Sequence, residues 1–288
     1  MAVMVKKLHP LFSAEVTGID ARHDEGQLRA QIEALMDEHA VIVLRDQKLE
    51  DASQVAFTKL FGEAEIAPNS GREKMRSAHP EIFNVTNLAA DGGFQKEDDP
   101  ARKYRLGNHL WHTDSSFRQN AGKYSFLMAH TVPAEGADTE FTDTRAVYDA
   151  LPAATKVRLE GLRAEHSIWY SRALKGQYQP SEEELRVRPP AQHPLVRTLS
   201  GSNRKALYIA AHVSHILGWS EAESRPLVDE LMAFAVQAQF VYAHKWRPGD
   251  MVIWDNRCTM HRATDFEDSK LVRDLRRTTV REGLSVAA

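Results

Sequence analysis

The sequence predicts a mostly β fold with flanking helices, a double-stranded β-helix or jelly roll. Three observations predict it. Short apolar or alternating runs separated by turn residues dominate the second half of the chain. Segments of helical period are fewer and are expected to pack outside the strands. No repeat, low-complexity tract or Gly/Ser/Pro-rich linker divides the chain, so its 288 residues are read as one domain, 1–288.

Each element has its own signal. Leu28, Ile32, Leu35 and Met36 fall at helical spacing and predict an amphipathic helix over 27–39. Val41-Ile-Val-Leu44 predicts a short buried strand, and Asp51 to Phe61 a second helix stopped by Gly62. From Glu63 to Leu106 the texture turns polar around one apolar island, Ile82-Phe-Asn-Val85. A connection this long is usually either disordered or a functional cover, and about 63–106 is expected to be a substrate lid. Short strands are expected between Tyr104 and Phe141, a helix over 147–161 and a strand over 205–209. Ser220-Glu-Ala-Glu223 has the capping-box pattern and predicts a helix running to about Gln237. A strand over 240–246, a turn at Pro248-Gly-Asp250 and a strand over 251–254 complete the reading.

Composition narrows the classes of function. Hydrophobic residues make up 42% and charged residues 27%, as in ordinary globular proteins, and the formal net charge is −3. That balance lacks the basic excess of a nucleic-acid partner. No run approaches the roughly 20 apolar residues of a membrane helix, and the first residues do not read as a secretory signal. Cys258 is the one cysteine, so no intrachain disulfide forms; a small buried hydrophobe is its expected role, in a cytoplasmic setting.

The most informative segment is Asn108-His-Leu-Trp-His-Thr-Asp-Ser-Ser-Phe117. On a strand, His112 and Asp114 project to the same face while Thr113 points away. Imidazole with carboxylate suits a divalent metal, and a third ligand is offered by His261 after Trp254-Asp-Asn-Arg-Cys-Thr-Met. Two histidines and a carboxylate with open positions form the facial triad of non-haem iron oxygenases. His-x-Asp alone is a weak signal, and a hydrogen-bonded core histidine is the plainer account of His112. His109 and His130 are rival ligands. His109, however, is at odd spacing from His112, and His130 has no carboxylate two residues away.

Across nearly its whole length the chain resembles the taurine/2,4-dichlorophenoxyacetate dioxygenase family of iron(II)- and 2-oxoglutarate-dependent enzymes. The resemblance rests on Trp111-His-Thr-Asp-Ser-Ser-Phe117, Gly136-Ala-Asp-Thr-Glu-Phe141, Arg145-Ala-Val-Tyr-Asp-Ala-Leu-Pro152, Trp254 to Arg262 and Arg273-Asp-Leu-Arg-Arg-Thr-Thr279, in the family's order and spacing. It implies Fe(II) held by His112, Asp114 and His261, with 2-oxoglutarate and O2 as co-substrates. It implies that Thr139 and Arg277 clamp the distal carboxylate of 2-oxoglutarate and that Arg273 lies on the substrate side. Leu162-Arg-Ala-Glu-His166 and Arg204 to His215 resemble the phenoxyacetate-degrading branch, which makes His212 and His215 candidates for substrate contact. Where that branch has a histidine, this chain has Leu199. The presence of Asp114 separates the chain from the iron halogenases, which lack that carboxylate.

The expected activity is hydroxylation of a small anionic substrate, a phenoxyacetate such as 2,4-dichlorophenoxyacetate, giving a phenol, glyoxylate, succinate and CO2. Two other readings stay open: a taurine-like alkylsulfonate or alkyl sulfate dioxygenase, and a metal-binding jelly roll without redox chemistry. No nucleic-acid or membrane partner is expected, and the chain is expected to form a homo-oligomer.

Overall fold

The computed structural model describes residues 2–23, 26–66, 77–176 and 179–283. The chain opens with β1 (Met4–Lys7) antiparallel to β2 (Ala14–Thr17). In α1 (Leu28–His39) the spacing of Leu28, Ile32 and Met36 makes one buried stripe. Ala40 ends the helix in the left-handed region, at φ 58°, and donates its N–H to the Met36 carbonyl. After β3 (Val41–Leu44) comes α2 (Asp51–Lys59), which stops ahead of the predicted end because Leu60 and Phe61 close tighter turns on Phe57 and Thr58. The apolar island becomes β4 (Phe83–Thr86). Residues 67–76 of the expected lid lie outside the described residues.

The expected short strands up to Phe141 are replaced by fewer, different elements. The segment begins with α3 (Pro100–Arg105), capped by the Asp99 side chain, and a 3-10 turn over Leu106–His109. It continues with one ten-residue strand, β5 (Gly122–Thr131), and with β6 (Thr139–Asp143). The helix predicted over 147–161 is two helices, α4 (Thr144–Ala150) and α5 (Ala153–Leu159). Pro152 carries no N–H to continue the ladder and drives Leu151 to an extended ψ of 143°.

Then follow β7 (Arg163–His166), α6 (Ile168–Gly176), α7 (Glu182–Val187), β8 (Ala191–Pro194), β9 (Val196–Thr198), β10 (Lys205–Leu207) and β11 (Val213–Ile216). The predicted capping box is formed: Ser220 and Glu223 exchange hydrogen bonds at the start of α8 (Glu221–Ala235). The last strands are β12 (Val241–His244), β13 (Met251–Asp255), β14 (Thr259–Ala263) and β15 (Asp274–Arg281).

A seven-stranded sheet in the order β1-β2-β3-β13-β5-β15-β4 forms the main layer. Its strand alternation decides where the site lies. Ile42, Leu44, Phe126, Met128 and Ile253 point to one face, where α1 and α2 cover them with Ile32, Met36 and Phe57. Val41, Val43, Leu127, Val252 and Trp254 point to the other, against Phe141 of a three-stranded sheet, β12-β6-β14. The main sheet is therefore buried on both faces, which is why β3 reads as an unbroken apolar run. A further cluster packs α8, through Leu227, Val228 and Leu231, on Leu207 and Val213. Arg145 is fully buried, forked onto Asp143 and donating to the Asp37 and Glu38 carbonyls, so it ties the end of α1 to the β6–α4 junction. Cys258 is buried beside Leu199 and Ala206, and burial pushes its thiol well up, as expected of an inert small hydrophobe. Among the described residues no helix is long and apolar enough to cross a membrane.

Candidate metal centre and its two cavities

The inward face of the paired sheets carries the polar residues of the site. His261, on β14, sits opposite Phe141 in register and stacks on it at 5.9 Å between ring centroids. His112 reaches it through an isolated bridge: each backbone N–H donates to the other's carbonyl, at 3.0 and 2.7 Å. Asp114 lies in a turn, not on a regular strand, and the next residue, Ser115, has φ 58°. The i, i+2 geometry therefore comes from a bridge followed by a turn. Thr113 does point away, donating to the Asn256 carbonyl at 2.7 Å.

The side chains of His112, Asp114 and His261 converge, with one ligating atom of each within 4.8 Å of the others, and all three are buried. His112 Nδ1 is 2.7 Å from the Leu110 carbonyl, which fixes that nitrogen as the donor and turns Nε2 to the site. His261 Nε2 lies 3.9 Å from Asp114 Oδ2, while its Nδ1 is buried with no partner. Asp114 Oδ2 accepts from Ser125 Oγ at 2.7 Å, and Arg277 donates to Oδ1. Ser125 is held in turn by Asn256 Nδ2 at 2.9 Å and lies 3.1 Å from Thr279 Oγ1. The rival histidines are elsewhere: His109 faces Asp265, and His130 Nε2 is buried without a partner outside the cluster.

Burial sets the protonation states. It pushes His112 down to about 4, although the Asp114 charge opposes it, and holds His261 well below its ordinary value. Burial alone would raise the Asp114 carboxyl, but Arg277 and the two histidines outweigh it and hold the group below its ordinary value. The set is thus two neutral imidazoles and one carboxylate, ready to ligate without losing a proton. The same burial holds His212 well down and His166 at about 3. In the unfolded chain these four histidines take protons near pH 6.5 that the folded chain refuses. Their stabilising effect is complete above that pH and declines as pH falls towards 4. Glu65, Asp37 and Asp138, raised by burial, act in the opposite sense, while His193 and His244, also lowered by burial, act with the four. We expect a Tm several degrees lower at pH 5 than at pH 7.5 in a metal-free thermal melt; equal values would contradict neutral burial of these rings.

Two cavities meet at the triad. Thr139, Arg273, Trp254 and His261 line one; Glu65, Phe117, Arg172 and His212 line the other; His112 and Arg277 border both. Thr139 and Arg277, grouped by the resemblance, both line the first cavity, but their side-chain partners differ. Thr139 Oγ1 accepts from Arg273 Nη2 at 3.4 Å and from Trp246 Nε1 at 3.0 Å, whereas Arg277 is on Asp114. The cause is position along β15. Thr279 pairs with Ser125 beside the triad, Arg277 pairs with Leu127, and Arg273 lies four residues further out, just before the strand begins. Thr139 is displaced to the same side, opposite Ala263, two residues beyond His261. Arg273 is buried with the Ala137 carbonyl at 3.3 Å for its Nε, and burial followed by the Arg105 charge lowers its guanidinium to about 10.

His212 does face the second cavity, its Nδ1 2.8 Å from Ser171 Oγ and its ring 5.2 Å from Phe117. His215 does not: it lies on β11 with Nδ1 3.7 Å from Glu165. His212 precedes β11 and is three residues from His215, a spacing that turns the two side chains to opposite sides, so the two histidines do not share a wall. Sequence reasoning missed Ser125, Asn256, Glu65 and Arg172. Only Ser125 had a usable signal, a polar residue at an inward position of an otherwise apolar strand.

Residues 4–279 match the family described as "Taurine catabolism dioxygenase TauD, TfdA family". An alpha-ketoglutarate-dependent 2,4-dichlorophenoxyacetate dioxygenase of Cupriavidus pinatubonensis is 45% identical over 283 residues, 97% of this chain and 98% of that protein. An (S)-phenoxypropionate/alpha-ketoglutarate-dioxygenase of Sphingobium herbicidovorans is 34% identical over 273 residues, 91% and 90% of the two chains. The crystal structure of AAD-2 in complex with Mn(II) and N-oxalylglycine superposes with a TM-score of 0.88 at 39% identity, covering 98% of this chain and 97% of that one. With a buried His-Asp-His cluster between its sheets and that match over nearly its full length, the chain belongs to the TauD/TfdA family of dioxygenases.

Proposed function

We propose that the protein is an Fe(II)- and 2-oxoglutarate-dependent dioxygenase that hydroxylates a small carboxylate of the phenoxyacetate type, yielding a phenol, glyoxylate, succinate and CO2. The observation that carries this reading is the pair of cavities that meet at His112, Asp114 and His261, with Arg273 in one and Arg277 bordering both. The donor set fits the metal: two neutral imidazoles and a carboxylate leave coordination positions for other ligands. Iron bound there would supply the binding and activation of O2.

The chain's own residues do the rest. Arg273 and Thr139 hold the distal carboxylate of 2-oxoglutarate. A buried guanidinium whose side-chain hydrogen bonds among the described residues go to a carbonyl and a hydroxyl can take an anion. Arg277 holds the substrate carboxylate: its Nε is buried and unpartnered, and its guanidinium lies 4.8 Å over the Phe83 ring. This exchanges the roles that the resemblance gave the two arginines. Phe117 and Ile168 offer an apolar wall for a ring, and they exclude water. Ser125 and Asn256 hold the Asp114 carboxylate in place. His212, kept neutral, contacts the ring and not the anion. The two facing sheets support the double-stranded β-helix reading and one domain over 1–288. Glu65, Phe83 and Tyr104 on the cavity wall support a cover over about 63–106.

The test is succinate release with Fe(II), 2-oxoglutarate and O2. Phenoxyacetate is expected to be turned over with a kcat/KM about 10- to 100-fold above that of its methyl ester, the range of one charged hydrogen-bonding contact. Metal binding without succinate release would support a non-redox protein instead. Equal use of ester and acid would remove the anion anchor.

A further inference from the structure

Four arginines line the cavity that holds His212, and one of them, Arg172, has no carboxylate partner among the described residues. Arg172, on α6, is only 6% exposed. Its Nη2 donates to Asn108 Oδ1 at 3.2 Å, and its guanidinium lies 4.3 Å over the Tyr104 ring. Its Nε and Nη1 are buried with no partner. The two carboxylates lining the same cavity are engaged already, Asp114 by Arg277 and Glu65 by Ser115, with Arg118 3.9 Å away. A buried guanidinium with two unmet donors is costly unless an anion accepts from it. The seat is built for the group: a Cβ on Gly107 would stand 1.6 Å from Nη1. The absence of a side chain at 107 is what lets the guanidinium lie flat between Tyr104 and the cavity. It lines the same cavity as His112, Asp114 and His212.

We propose that Arg172 is a second anion anchor of the substrate cavity, and that the substrate is a small aryl acid with an anionic group at each end, one on Arg277 and the other on Arg172. This rests on the reading of the cavity as a substrate site. Between the two anchors Phe117 and Ile168 line the wall, which fits a ring joining the two anions.

The probes are 4-carboxyphenoxyacetate and phenoxyacetate, compared by succinate release and by anaerobic Kd with Fe(II) and 2-oxoglutarate bound. In the wild type the dianion should exceed the monoanion about 10- to 100-fold in kcat/KM and in affinity, the range of one charged contact. Arg172→Met should bring the ratio to one or below. Gly107→Ala keeps the charge but pushes the guanidinium from its seat, and should lower the ratio while leaving the 2-oxoglutarate KM in place. A ratio that is equal in wild type and Arg172→Met, or a wild-type preference for the monoanion, overturns the inference. Phenoxyacetate turnover without dianion preference overturns it alone; failure of both substrates to release succinate overturns the functional reading beneath it as well.

Discussion

Asp114→Ala is expected to abolish coupled turnover, lowering succinate formation by at least about 1000-fold, since even partners one shell out from a metal cost about 10- to 100-fold. The loss has two parts. The site keeps two neutral imidazoles but no anionic ligand, so Fe(II) is held weakly. Arg277, now without its carboxylate, is left beside the site as an uncompensated charge. Metal content after dialysis should fall with activity, while circular dichroism stays that of the folded chain. That last point is expected because Ser125, Asn256 and the His112–His261 bridge hold the local backbone without the carboxylate. Full iron occupancy with normal turnover in the variant would show that the three residues are not the ligand set.

Exchanging the arginines should separate the two co-substrates. Arg273→Ala is expected to raise the KM for 2-oxoglutarate about 10- to 100-fold and to leave that for phenoxyacetate nearly unchanged; Arg277→Ala should do the reverse, each losing one charged contact. Steady-state kinetics with each substrate varied at saturation of the other decides it. A rise in the 2-oxoglutarate KM in Arg277→Ala, with Arg273→Ala affecting only phenoxyacetate, would restore the roles that the resemblance implies. The exchange is proposed because Arg273 hydrogen-bonds Thr139 in the first cavity, whereas Arg277 is on Asp114.

This exchange marks where the sequence was readable and where it was not. The spacing of His112 and Asp114 and the strand and turn before His261 offer a ligand set that the family resemblance singles out, although Asp114 is placed by a bridge and a turn and not by strand alternation. The N-terminal cap of α8 follows from short-range hydrogen bonding. Arg273 and Arg277, by contrast, are both odd-numbered positions facing one cavity, and parity cannot rank them. Their order of depth is fixed by which residue of β5 and β6 lies across from each, a long-range register that one sequence does not display. Arg172 is harder still. It stands on a helix whose position depends on packing against the turn over Leu106–His109, and its seat exists because position 107 lacks a side chain. Pro152 misled in the other direction: its break in the helix was local and legible, yet the run on either side looked continuous in period.

The bridge between His112 and His261 also governs when in the life of the molecule the centre can exist. The first histidine and the carboxylate leave the ribosome early, and the other histidine follows only after roughly 150 further residues, about 7 to 30 s at ordinary rates of synthesis. Throughout that interval the nascent chain presents two ligands on an unclosed surface, with β13, β14 and β15 still to be made. Loading of the metal is therefore a maturation step that follows sheet closure.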